Sequence, residues 1–182
     1  MLKISVQSSP LPQSAIEGAS KVNENVATVP FLIFKIATHL YAVNLLQVRE
    51  VRTVSIMTRV AHAPPYVVGV TSIRGEIIPV INLKRRFHLD SHTDESDKGL
   101  VLISEMDSRK VGIQVDNVQE VIDINMAVVQ AVPRTTMAID IQYLIGMSQV
   151  EGQVVLLVDF QKLLKPEELH AVAMATEETV LA

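Results

Sequence analysis

The spacing of apolar and polar positions changes near residue 31. From there, short apolar runs alternate with turn-forming residues: Phe31–Ile36, Leu40–Val43, Val48–Val54, Val67–Ile73 and Glu76–Ile81. Runs of about four to eight residues, rich in Val and Ile, predict strands, many of them buried on both faces. Residues 1–29 are rich in Ser, Pro, Gln and Asn without a sustained apolar period, which predicts a loose N-terminal arm.

The runs repeat. Tyr41–Val51 lies over Val111–Val121, 70 positions on, and both end in Val, a polar residue, Glu, Val. Val67–Leu83 lies over Leu144–Phe160, 77 positions on. In the second match Gly69 and Gly75 fall on Gly146 and Gly152, and every apolar position coincides except Pro79, which faces Leu156. Two matches in the same order predict two copies of one β unit, each of about five strands closed by a helical turn at Leu83–Phe87 or Phe160–Leu164. Closure into a barrel removes exposed edges from so small a sheet. The expected fold is mainly β, with two pseudo-repeated five-stranded barrels over about 30–89 and 98–165. Asp90–Lys98 is an acidic connector between them. Pro166-Glu167-Glu168 followed by Leu169, Val172 and Ala173 predicts a C-terminal helix in 166–182, with proline in its first turn and acids near its positive end.

Composition narrows the function. The 182 residues contain no cysteine, which removes disulfides and thiolate chemistry, and they carry a net charge of −4. Lys84-Arg85-Arg86 is the longest basic cluster, so no nucleic-acid footprint is expected. No apolar stretch approaches the roughly 20 residues of a membrane span, and Gln7 to Pro10 interrupt any leader-like start, so a cytoplasmic protein is expected. His88 and His92 lie four apart beside Asp90 and Asp94, but without a third spaced ligand they read as solvated linker. Asp90, Asp94 and Asp97 lack the glycine of a calcium loop. No serine sits in a nucleophile elbow, and the seven glycines form no phosphate loop; Gly69, Gly75, Gly146 and Gly152 read as turns or bulges. No catalytic residue, metal or cofactor is expected.

The copies differ at informative points. Arg74 replaces Glu151 at a hairpin tip, where a guanidinium can bind a carboxylate or helix carbonyls. Pro79 replaces Leu156 and predicts a strand edge or bulge, because proline donates no ladder hydrogen bond.

Phe31-Leu32-Ile33-Phe34, Tyr41-Ala42-Val43, Val48-Arg49-Glu50-Val51, the series Gly69 to Leu83 beginning Gly-Val-Thr-Ser-Ile-Arg-Gly, Val115-Asp116-Asn117-Val118 and Tyr143-Leu144-Ile145-Gly146 resemble the CheW family over roughly Phe31 to Leu164. Ser72 stands where many relatives carry Asn. The resemblance implies two intertwined Src-homology-three-like barrels with strands exchanged between them. It also implies a scaffold that couples the cytoplasmic tips of methyl-accepting chemotaxis receptors to the regulatory domain of the histidine kinase CheA, in arrays at the inner face of the membrane. The receptor tip would dock in a groove between the barrels. Carried over by position, the receptor-facing candidates are Val48, Glu50, Gly69 and Arg74, with Gly75 shaping the turn. Apolar barrel ends would meet the kinase, with Val132, Pro133 and Met137 as candidates. Two other readings stay open: an adaptor of a twitching or other non-flagellar chemosensory pathway, and a small-ligand barrel with ionisable groups clustered near His39 and His62.

Overall fold

Every run of both copies is a strand in the computed structural model, which describes residues 27–89, 99–133 and 139–181. The first copy supplies β1 (Thr28–Ile36), β2 (His39–Asn44), β3 (Glu50–Val54), β4 (Val67–Ile73) and β5 (Glu76–Asn82), followed by the one-turn helix α1 (Leu83–Arg86). The second supplies β6 (Gly99–Met106), β7 (Arg109–Val115), β8 (Asn117–Asn125), β9 (Leu144–Val150) and β10 (Gln153–Val158), followed by a 3-10 turn at Phe160–Lys162 and helix α2 (Pro166–Leu181). The closing turns start alike. Asn82 accepts from the Arg85 N–H at 3.0 Å, and the equivalent Asp159 accepts from the Gln161 N–H at 3.1 Å, as short polar residues do at helix starts. β1 begins earlier than the sequence suggested, because Thr28 and Val29 already pair with Asn125 and Ile124.

The two five-stranded sheets do not follow the two copies. One runs β8-β1-β2-β10-β9 and the other β3-β6-β7-β5-β4, so each takes a hairpin from one copy and three strands from the other. The exchange is reciprocal and keeps register. Phe31 faces Ile122 in the first sheet, and the positions 70 residues away, Val101 and Arg52, face each other in the second. The parallel ladders match too: Leu157 with Ala42, and Val80 with Gly112.

Of the two expectations at Pro79 the edge fails, since β5 lies inside its sheet, but a bulge stands next to it, where the β4–β5 register shifts between Val67 and Gly69 opposite Ile81 and Val80. The neighbour of Pro79, Val70, exchanges both backbone hydrogen bonds with Thr58, at 2.8 and 2.9 Å, so the Val70–Pro79 pair makes none. The Pro79 nitrogen then points toward β7, where the ladder starts only at Val80. In the other sheet, with Leu156 at this position, the equivalent ladder also includes Val155 and Leu156.

Alternation along β1 shows where the cores lie. Phe31 and Ile33 point into the first barrel with Ala42, Ile124, Val155 and Leu157. Leu32, Phe34 and Ile36 point the other way, into a larger core shared with Ile81, Leu102, Val111, Ile113 and Val115 of the second sheet and Leu83 of α1. A smaller set, Val54, Val68, Val80, Val101 and Ile103, fills the second barrel. The space between the barrels is therefore packed rather than open. Rings run through it in series, Phe160–Phe34–Tyr41–Phe87–Tyr143, with neighbouring centroids 5.6 to 6.0 Å apart. Each such side chain contributes about 1.5–3 kcal/mol of burial.

A polar cluster fastens α2 to this core. Arg86 donates to the Leu163 carbonyl at 2.8 Å and to both carboxylate oxygens of Glu168 at 3.0 and 2.8 Å. Its guanidinium lies 4.4 Å from the Tyr66 ring centre and 5.1 Å from that of Tyr143, repeat-equivalent tyrosines 77 positions apart. Glu168 also accepts from the Tyr66 hydroxyl and from the Lys165 N–H. Burial alone would raise the Glu168 carboxyl, but the Lys165 N–H, Arg86 and the Tyr66 hydroxyl outweigh it and hold it below its ordinary value. Burial, reinforced by Glu168, pushes Tyr66 up to about 12.

Two expectations follow. A carboxylate held low stabilises the fold above its unfolded pKa of 4.5, and that contribution is lost as pH falls through the lower, folded value. Glu168→Gln should therefore flatten the acid limb of a stability-versus-pH curve measured by urea denaturation; an unchanged limb contradicts the assignment. The Tyr41 hydroxyl is buried without a hydrogen-bond partner among the described residues. An unpaired buried hydroxyl costs about 1–3 kcal/mol, so Tyr41→Phe should leave the urea midpoint unchanged or raise it, whereas Phe34→Ala should cost about 3–5 kcal/mol.

Candidate partner-binding site

The β4–β5 hairpin ends in two residues, both left-handed: Arg74 at φ 53° and Gly75 at φ 82°. This geometry matches the right-handed twist of the strands, and glycine meets it without strain. Arginine does not; holding a side-chain residue there costs about 1–2 kcal/mol. The Arg74 side chain is 76% exposed. The equivalent tip of the other barrel has the same backbone, Glu151 at φ 49° and Gly152 at φ 80°, with the opposite charge.

Glu50, at the start of β3, reaches this tip. Its Oε2 accepts from Arg74 Nη2 at 3.3 Å and from Arg52 Nε at 3.0 Å. Glu50 and Arg52 share a face because residues two apart on a strand do. Sequence reading paired Glu50 with Arg74 through the family resemblance but missed Arg52, although the Glu-x-Arg alternation of β3 signals it. Arg52–Ile56 and Thr71–Arg74 line a groove of ≈ 310 Å³ beside the tip, closed at one wall by the Thr71 hydroxyl donating to the Ile56 carbonyl at 3.1 Å. The same barrel end carries two further ion pairs, Arg49–Glu105 at 3.2 Å and Lys110–Glu76.

Val48 precedes Glu50 by two residues and is half-buried against the central core, at the end of the 3-10 turn Leu45–Gln47. Gln47 pins that turn to the second copy: its amide donates to Asp159 at 2.8 Å, and its carbonyl accepts from the Phe160 N–H at 2.9 Å. Gly69 is placed differently. It is buried, and a Cβ there would stand 2.5 Å from the Thr58 carbonyl oxygen. Its contribution is the room that lets the Thr58 segment cross β4, as Gly146 does beneath Gln130 in the other barrel. Of the five receptor-facing candidates, Glu50, Arg74 and Gly75 come together at the tip, Val48 borders them, and Gly69 supports the strand from within.

Among the kinase-facing candidates, Val132 packs on the central core, Pro133 is exposed, and Met137 lies outside the described residues. Sequence reading missed a set of exposed apolar positions that recurs in both barrels: Val51 with Val121, Ile56 with Val128, and Ile77 with Val154. The repeat offsets of 70 and 77 were the signal that could have found the first and last pairs; Ile56 and Val128 each lie two residues before an isolated bridge, Thr58 to Val70 and Gln130 to Met147. His39 lies beside the Thr38 hydroxyl and His62 on an exposed turn; among the described residues no group of three or more His, Asp or Glu gathers as a metal site would require. No helix among the described residues is long and apolar enough to cross a membrane.

Two interleaved barrels around a shared core define a double Src-homology-three-like fold, and its distinctive polar feature is an exposed hairpin tip. The CheW-like domain family matches residues 30–168. The chemotaxis protein CheW of Klebsiella aerogenes is 31% identical over 84% of this chain and 92% of its own length, and that of Treponema pallidum 33% over 77% and 84%. The crystal structure of the scaffolding protein TtCheW from Thermoanaerobacter tengcongensis superposes with a TM-score of 0.69 at 27% identity, covering 78% of this chain and 91% of that one. The chain belongs to the CheW family.

The two glycines of β4 and its turn should respond differently. Gly69→Ala must displace the Thr58 backbone and should lower stability by more than about 2 kcal/mol, whereas Gly75→Ala, with open space around its Cβ, should cost about 1 kcal/mol. Thermal denaturation of both variants checks this; equal losses contradict the close approach.

Proposed function

We propose that this protein is a coupling adaptor of a chemosensory array, joining the cytoplasmic tips of methyl-accepting chemotaxis receptors to the regulatory domain of a CheA-type histidine kinase. The observation carrying this reading is the CheW-family match over the double barrel, together with the Arg74–Gly75 tip held out on a strained turn and oriented by Glu50. Because the space between the barrels is packed, the receptor hairpin lies on the outer end formed by Val48, Glu50 and Arg74, not inside a cleft. Apolar side chains of a receptor helix would cover Val48, while Arg74 and Glu50 fix its orientation through charge-assisted hydrogen bonds.

Kinase contact uses the barrel ends, where Val51, Ile56 and Ile77 on one and Val121, Val128 and Val154 on the other offer apolar anchors. Val132, Pro133 and Met137 are further candidates for that contact in the second copy. Location at the membrane's inner face follows from the receptors, and the adaptor acts without a catalytic group.

Arg74→Glu removes a charge-assisted contact worth about 1.5–3 kcal/mol, so co-sedimentation with receptor cytoplasmic fragments and kinase should weaken by about 10–100-fold. The thermal midpoint should stay within a few degrees, since the side chain is largely solvent-exposed. Undiminished co-sedimentation and kinase activation by this variant would rule the tip out as the receptor contact.

A further inference from the structure

Helix α2 is held unevenly along its length. Its N-terminal end is fixed by polar bonds: Arg86 to the Leu163 carbonyl and to Glu168, Tyr66 to Glu168, and Lys165 N–H to Glu168. Leu169 and Val172 are buried in the turns that follow. Farther along, Thr176 is the one buried position among the described side chains, and no apolar side chain there is fully buried. A cleft of ≈ 490 Å³ lies between Leu169, Ala173, Thr176 and Glu177 on one side and β5 and β7 on the other. Its sheet wall carries Ile77, Pro79 and Val111, and the Glu76–Lys110 ion pair stands at its rim. The Thr176 hydroxyl turns back on the helix, donating to the Val172 carbonyl at 2.7 Å, a bond that gives the helix no purchase on the sheet.

We infer that α2 is a hinged cover on the second barrel: the Arg86–Glu168 cluster is its fixed end, and the part beyond Val172 lifts from β5 and β7 as a local unit while the barrels stay folded. Elements with apolar burial at one end and an unfilled gap at the other open at a smaller free energy than the core. Lifting uncovers Pro79 and Val111 beside the already exposed Ile77, next to the Arg74–Gly75 hairpin, because Glu76 belongs both to that hairpin and to the cleft rim. A ligand at the tip that prefers one position of the helix would shift its population, and the helix would in turn change the ligand's affinity by the same factor. The hinge does not depend on the coupling reading, and its test requires no partner.

Since the natural chain lacks cysteine, Ser108→Cys with Glu177→Cys places two spin labels at exposed positions on opposite sides of the cleft mouth. Double electron–electron resonance on the full chain should give two distance populations or one broad one; a single narrow distance overturns the hinge. Hydrogen exchange is the second readout. Amides of residues 174–181 should exchange at least about tenfold faster than those at the centres of β5 and β7. Arg86→Lys keeps the charge but loses the bidentate bond, and it should bring residues 166–172 into the fast class while leaving β1 and β6 protected. Equal protection along α2, or a loss spread evenly over α2, β1 and β6 in Arg86→Lys, would mean that the helix belongs to the global core and does not open on its own.

Discussion

The central constraint is the core between the barrels. Twenty-two buried residues drawn from both sheets, α1 and α2 form one cluster, larger than those inside either barrel. β1 serves two cores at once, with Phe31 and Ile33 on one side and Leu32, Phe34 and Ile36 on the other. That double burial explains why its sequence reads as a continuous apolar run rather than a simple alternation. Once both faces of the central strands are buried, polar side chains gather at the rims and hairpin tips.

Internal symmetry makes the departures from it meaningful. The two tip turns share a backbone but carry Arg74 and Glu151; Arg74 is oriented by the opposite charge of Glu50, whose repeat equivalent Glu120 has the same charge as Glu151. Pro79 and Leu156 occupy one position of the repeat, and the proline shortens a parallel ladder by delaying its start. Arg86 lies between the equivalent Tyr66 and Tyr143, so a single side chain touches both copies and α2.

Much of this could be read from the chain. The apolar runs marked the five strands of the first copy, and offsets of 70 and 77 residues carried four of them and the closing turn into the second, since period-two burial leaves a clear trace in Val, Ile and Leu; β6 lies outside both matches. Pairing left no such trace. Strand exchange puts the same residues on the same faces as unexchanged barrels would, so periodicity alone cannot distinguish them, and only the family resemblance suggested it. A groove between the copies came from the family resemblance alone; what the structure shows between the inner faces of the sheets is the shared core. Proline as an edge marker failed because Thr58 takes over the hydrogen bonds of Val70, a contact made by an irregular segment. Arg86 was read only as part of the triplet Lys84-Arg85-Arg86, because its sequence neighbours give no sign of which carboxylate the fold will bring to it, whereas Arg52 was legible in the Glu-x-Arg alternation of β3 and was passed over.

Reciprocal exchange also fixes an order of assembly during synthesis. The strands β3 to β5 leave the ribosome before their two inner neighbours, β6 and β7, and the sheet built on β1 and β2 waits for β10. For most of translation the earliest hairpin keeps Phe31, Ile33 and Phe34 without the strands that finally cover them. The nascent chain therefore depends on late completion, a kinetic burden that a tandem of independently closing barrels would not carry.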